Sequence, residues 1–207
     1  MTKNERLTHT KYQKGISLIE VLVALVILVI GLIGIFNLHI VAKRGSFESF
    51  QQTQASYYAT DIINRMKLNR TQLANYVGTY NYKEPPSMAE NCETQVCSPG
   101  QMATWDKYDW GKALFGSLEV VGTENVGGLD SATACIGMNE IVSDGAKGNY
   151  VVVAIVWRGI RETTVKPYEV IDAEDGNISA NKSVVANCFA DAAIDNRRLF
   201  VINTVII

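Results

Sequence analysis

The sequence predicts an α+β fold, with one long N-terminal helix packed on an antiparallel sheet. Three observations carry that prediction. Val21 to Phe36 is sixteen residues without a polar side chain. No proline occurs before Pro85, and helical spacing continues past the apolar run: Ala55, Ala59 and Ile63 share one stripe, with Tyr58, Ile62 and Met66 beside it. Late in the chain, NYVVVAIVWRGI and RRLFVINTVII read as β-strands.

The first element is a basic leader. Residues 1–15, MTKNERLTHTKYQKG, carry Lys3, Arg6, Lys11 and Lys14 against Glu5. The other 192 residues hold fifteen basic and twenty acidic side chains, a net charge of −5. The leader meets an apolar block from Ile16 to Ile40, in which Glu20 is the only acid or base apart from His39. A secretory signal ends in small residues at a cleavage site, and no such site follows the block. A buried core helix is a second reading, but so long an apolar run in a small chain favours membrane. Ile16 to Ala42 suffices to cross ~30 Å of hydrocarbon at ~1.5 Å per residue. The basic leader would keep its own end cytoplasmic, with the remainder on the outer face. Glu20 is then anomalous. A carboxylate costs ~2.5–3.5 kcal/mol at the centre of a membrane helix and less near its end. Either it reaches water at the interface, or it pairs with a positive group in an assembly.

Lys14-Gly15-Ile16-Ser17-Leu18-Ile19-Glu20-Val21-Leu22-Val23-Ala24 resembles the cleavage and membrane motif of type IV prepilins and related pseudopilins. The shared pattern is Lys-Gly, an apolar residue, Ser or Thr, Leu, Ile, Glu, then a long apolar helix. The resemblance implies the type IV pilin fold, cleavage after Gly15 by prepilin peptidase, and methylation of the new amino terminus at Ile16. It also implies that Glu20, fifth in the mature chain, pairs with the N-terminal amine of a neighbouring subunit. Two buried charges would then neutralise each other and set register. Ile16 departs from the Phe or Met of many pilins.

The helix is expected to run from about Ile16 to about Leu73, roughly 85 Å, too long for a compact domain of this size. Its first half must lie in membrane or fibre and its second half on a head. Gly31 and Gly34, each costing ~1 kcal/mol of helix against Ala, mark either close helix packing or a local melting point. The expected division is a leader at 1–15, a membrane or fibre-core helix at 16–42, its amphipathic continuation at 43–73, and a head at 74–207. Within the head, 74–104 reads as loop and 107–118 as a short amphipathic helix anchored by Tyr108, Trp110, Leu114, Phe115 and Leu118. Strands are expected at Leu118–Val121, Ala134–Ile136, Tyr150–Trp157 and Leu199–Ile207. The nearly continuous apolar run at Tyr150–Trp157 marks a central strand, entered through a turn at Asp144-Gly145 and Lys147-Gly148-Asn149. The last strand should place Leu199, Val201 and Asn203 on one face, and Phe200, Ile202 and Val205 on the other. Residues 162–184 are polar, with DAEDGN (172–177) as a loop tip.

The later residues resemble the PilV-type minor pilins. The likeness rests on DIINRMKLNR, the Cys-x4-Cys-Ser-Pro-Gly-Gln-Met run, Asp109-Trp110, YVVVAIVWRG, and Arg197-Arg198 before the final strand.

All four cysteines, Cys92, Cys97, Cys135 and Cys188, fall in the expected extracytoplasmic head, where disulfides are the default. Three pairings are open. We expect Cys92–Cys97, closing a small loop, and Cys135–Cys188, tying the sheet to a late loop. Closing the longer loop stabilises by ~4 kcal/mol in the chain-entropy model. Zinc lacks paired C-x2-C spacing and supporting histidines, and DAEDGN lacks the distal Glu of an EF-hand. Asp175-x-Asn177-x-Ser179 fits a bacterial glycosylation sequon, a pattern that also occurs by chance. Tyr76, Tyr80 and Tyr82 are expected to pack on the head, and Trp105, Trp110 and Trp157 to be core or interface anchors.

Composition bounds the function. Of 207 residues, 47% are hydrophobic, too many for a disordered chain. With only His9 and His39, a Ser-His-Asp triad or a multi-histidine metal site is nearly excluded. No Gly-rich phosphate loop follows a strand and opens a helix. We expect no catalytic residue, no cofactor and no metal. Near-neutral charge gives no field for holding nucleic acid.

The resemblance implies a minor type IV pilin made as a prepilin in the inner membrane of a Gram-negative bacterium. Its partners would be prepilin peptidase, other minor pilins, the major pilin and a large tip adhesin. It would prime assembly and sit at the pilus tip, supporting adhesion and twitching. The rivals are a minor pseudopilin of type II secretion and a minor pilin that itself holds a ligand, adhesive or DNA.

Overall fold

Described by a computed structural model are residues 15–88, 90–143, 146–161, 184–186, 188–189 and 196–207. Leu18–Leu68 form one helix, α1. The chain divides into two units, Met1–Gly45 and Ser46–Ile207, and α1 contributes to both. In the first unit the helix is apolar all round, and its large apolar side chains from Leu18 to Val41 are 43–78% exposed. In the second unit Gln51, Ala55, Tyr58, Ala59, Ile62, Ile63 and Met66 are buried. That three- and four-residue spacing is one helix face. Each large side chain buried there stabilises by roughly 1.5–3 kcal/mol.

The helix stops at Leu68, five residues short of the expected end. Asn69 leaves helical geometry (φ −118°, ψ 44°), and Arg70–Tyr76 continue as a 3-10 turn. The Asn69 side chain explains the exit. Its Nδ2 donates to the Tyr76 hydroxyl at 3.2 Å and to the Pro99 carbonyl at 2.8 Å. It thereby offers local bonds that compete with another helical turn.

The expected loop at 74–104 contains two elements instead. Gly78–Asn81 form strand β1, and helix α2 runs Pro99–Leu114, beginning well before position 107. A capping box sets that start: Gln101 N–H donates to Ser98 Oγ at 3.4 Å, and Ser98 N–H donates to Gln101 Oε1 at 2.8 Å. Pro99 follows the cap, where its missing N–H is not needed. After α2 the chain turns at Gly116 with φ +76°, where an added Cβ would lie 1.9 Å from the Gly127 carbonyl oxygen. Only glycine fits there. The strand expected at Leu118–Val121 is reduced to Val120–Val121 (β2), which pairs only with Glu124–Asn125 (β3).

Thr133–Ser143 (β4), Ala146–Arg158 (β5) and Arg197–Ile206 (β6) complete the head. The main sheet has the order β1-β4-β5-β6, with every pair antiparallel. Strand β4 is far longer than the expected Ala134–Ile136. Ser143 pairs with Ala146, while the expected turn residues Asp144 and Gly145 lie outside the described residues.

Strand β5 is central and buried on both faces, which is why it reads as a continuous apolar run. Val151, Val153, Ile155 and Trp157 join the core with α1 and α2. Ala154 and Val156 join a second cluster with Cys135, Val185, Cys188 and Phe189. Strand β6 alternates as expected at its start, with Leu199 and Val201 packed on the second cluster and Phe200 and Ile202 on the first. Gly137 permits the close approach of Val184, since a Cβ there would lie 2.1 Å from Val184 Cγ2.

Candidate functional site

Gly15, Ile16 and Ser17 precede the helix in exposed, non-helical backbone. Among the described residues, nothing approaches within 4 Å of the position a Gly15 Cβ would take. The Ser17 carbonyl accepts the Glu20 and Val21 N–H groups at 3.0 and 3.3 Å, opening the first turn. Glu20 is exposed in that turn, where a carboxylate complements the positive helix end. The helix that follows is long and apolar enough to cross a membrane. Residues 1–14, with Lys14 and the rest of the basic leader, lie outside the described residues.

In the head, Asp61, Arg65 and Asn69 occupy one face of α1 and its exit, spaced four residues apart. Arg65 reaches Asp61 at 3.2 Å, Asp106 at 3.4 Å and Asp109 at 2.9 Å. Tyr76 donates to the other Asp106 oxygen at 2.5 Å. Burial opposes the Arg65 charge, but the bond to Asp109 and the fields of the three aspartates outweigh it and hold the guanidinium above its ordinary pKa. Burial, then the bond to Asp106, pushes the Tyr76 phenol well up, and burial pushes Tyr80 up to about 12. Both phenols are neutral throughout the physiological range. This network joins two motifs far apart in sequence, DIINRMKLNR and Asp109-Trp110. Trp110 is fully buried, donates to the Tyr58 carbonyl at 2.8 Å, and stands edge-on to Tyr80 at 5.9 Å. It works as a clamp between helices and has the chemistry of none of the usual catalytic groups.

A second ion cluster holds the start of the head's helical segment. Glu48 meets Arg161 and Arg198, both at 2.9 Å. Burial works against the Glu48 charge, yet hydrogen bonds from Arg161 and then Arg198 outweigh it and lower the carboxyl pKa. Arg198 thus ties β6 to α1, and Arg197 donates to the Ser131 carbonyl at 2.7 Å.

Cys92 is joined to Cys97, and Cys135 to Cys188. Tyr76 is buried and Tyr82 exposed, while Trp105 and Trp157 are buried. DAEDGN and the Asp175-x-Asn177-x-Ser179 pattern lie outside the described residues. Among the described residues, no group of three His, Cys, Asp or Glu side chains is placed to hold a metal. Sequence reasoning missed Arg65, Asp106 and Glu48. The i, i+4 spacing of Asp61 and Arg65 was the available signal, but no spacing pointed across to Asp106 or from Glu48 to Arg198.

Residues 10–36 match the prokaryotic N-terminal methylation motif. Residues 38–108 match the Tt1218-like family, described as type IV pilin Tt1218. The matches support the type IV pilin superfamily. Together they cover just under half of the chain, and the second spans the head's helical segment, β1 and most of α2. A long N-terminal helix with a four-stranded antiparallel sheet is the type IV pilin α+β fold. Type IV pilins are structural rather than enzymatic proteins, and the methylation motif implies processing by prepilin peptidase and assembly with other pilins. No curated protein and no solved structure matches.

Proposed function

We propose that this pilin is a minor subunit of the PilV kind that primes pilus assembly and takes its place in the tip complex. One observation carries the reading. An apolar helix that its own unit leaves uncovered begins three residues after Gly15, and its apolar run carries a single carboxylate, Glu20. Such a helix needs a membrane before assembly and neighbouring apolar helices after it.

In this reading prepilin peptidase cuts after Gly15 and methylates the Ile16 amine. Glu20 then meets the amine of a neighbouring subunit and sets register. The division is a leader at 1–15, a membrane and fibre-core segment at 16–42, and a head that begins within α1. The protein sits in the inner membrane with its N-terminus cytoplasmic and its head periplasmic, then at the pilus tip beside other minor pilins, the major pilin and a large adhesin. Adhesion and twitching follow from that position, and no nucleic acid is engaged.

A clean deletion tests this, scored for sheared surface pili and twitching beside secretion of a type II marker enzyme. Loss of pili and motility with normal secretion is expected. Normal pili with blocked secretion would instead assign the chain to the pseudopilins. Glu20→Ala is expected to remain in the membrane but stay out of fibres. Its normal incorporation would sink the register argument.

A further inference from the structure

The two disulfides have opposite surroundings. Cys135 and Cys188 are 2% and 1% exposed, enclosed in the cluster on the sheet's second face. Cys92 and Cys97 are only half-buried, and residues 93–96 between them are all exposed, Val96 completely. Cys97 also lines a groove of about 400 Å³ with Leu68, Pro99 and Met102. A dithiol can reach this bond without unfolding the head, whereas the buried one needs the sheet uncovered.

The position of Cys97 adds chemistry to access. It immediately precedes Ser98, the N-cap of α2, and the first turn of that helix carries no acid. The positive end of a helix stabilises a nearby thiolate. The opposing charges are Glu93 in the loop and Glu90, which the Gln101 amide engages. Of the two sulfurs, Cys97 is therefore the better leaving group, because a lower thiol pKa speeds departure.

We propose that Cys92–Cys97 is a reversible thiol–disulfide exchange site for a dithiol reductant, and that Cys135–Cys188 is a permanent brace. A thiolate of the dithiol attacks Cys92 Sγ, the Cys92–Cys97 bond breaks, and Cys97 leaves as thiolate. The second thiol of the reagent, on losing its proton, attacks the mixed disulfide and releases Cys92. The dithiol becomes a disulfide, and two electrons and two protons pass to Cys92 and Cys97. The consequence is local. The clasp holds the chain entering α2, and Asn69 Nδ2 binds the Pro99 carbonyl at 2.8 Å. Opening the clasp loosens the first turn of α2 against the end of α1 and leaves the sheet braced.

The test uses full-length oxidised protein in detergent. Samples are titrated with dithiothreitol, acid-quenched, alkylated and mapped by mass spectrometry. Cys92 and Cys97 are expected to label at a reductant concentration about tenfold below that which opens Cys135–Cys188. Labelling of all four together, or of the buried pair first, overturns the proposal. With glutathione the trapped adduct is expected on Cys92; an adduct mainly on Cys97 refutes the assignment of leaving group. Amide exchange at residues 100–102 is expected to quicken several-fold on reduction while β5 is unchanged, and a double Cys92→Ser, Cys97→Ser variant should reproduce that pattern without reductant. Unchanged exchange at 100–102, or a sheet that loosens with them, overturns the coupling.

Discussion

Residues 18–41 and residues 51–66 belong to one helix, yet they satisfy their apolar side chains in different ways. The first stretch is apolar on every side, and no large apolar side chain in it is less than 43% exposed. The second has one apolar stripe, with Ala55, Ala59, Ile62 and Met66 fully buried against the head. A stripe needs one partner surface, and the same chain supplies it. A helix apolar all round needs apolar matter on all sides, which a single small head does not offer. Glycine placement agrees, since an added Cβ at Gly31 or Gly34 meets nothing within 4 Å. Helical backbone is thus shared, and the side-chain pattern alone decides whether the partner is internal or external.

That contrast breaks or holds under substitution. Trp110→Ala should have the largest effect. It empties a fully buried site and removes the indole hydrogen bond that ties α2 to the Tyr58 carbonyl, a loss of about 3–5 kcal/mol in urea unfolding of the head. Arg65→Ala should cost about 2 kcal/mol, because it strands Asp106 and Asp109 in partly buried positions. Arg65→Lys should recover only part of that, since one ammonium lacks the geometry to serve three carboxylates.

Glu48 predicts a pH effect on the head of roughly 1 kcal/mol. Its folded pKa is lowered from the ordinary 4.5, so the folded state holds its charge more tightly than the unfolded chain. That stability is fully present above pH 4.5 and is lost as pH falls through the lower folded value. Glu48→Gln should remove this part of the acid sensitivity; an unchanged pH profile would discard the ion cluster as a tether. Leu28→Ala should have the smallest effect, within about 0.5 kcal/mol of the parent head stability. If Leu28→Ala destabilised the head as much as Trp110→Ala, the division of one helix into two environments would be wrong.

Much of the fold is legible in the chain. The burial of Tyr58, Ile62 and Met66 follows from helical spacing, and the central place of β5 follows from its unbroken apolar run. The start of α2 was legible too, in Ser98, Pro99 and Gln101, but the polar composition around it masked the capping signal. Strand β1 was not legible. GTYN carries no alternating pattern, and it becomes a strand because Gly78–Asn81 pair with Thr133–Ile136. Its edge position asks little of its side chains. The N-terminal methylation motif around Gly15, Ile16 and Glu20 was readable because its residues are contiguous in sequence. The Arg65 network was not, because Asp106 and Asp109 lie 41 and 44 residues away.

What the sequence by itself determined is what depends on neighbours along the chain: the apolar helix, its lone carboxylate, the caps and the central strand. Tertiary structure alone decided which carboxylates share Arg65, that Glu48 holds β6, and that one disulfide lies buried while the other stands near the surface. Those outcomes turn on long-range register and on which face of the sheet receives Val185, Cys188 and Phe189. Local propensity is indifferent to both, because the energy that settles them comes from surfaces brought together only after the chain has folded.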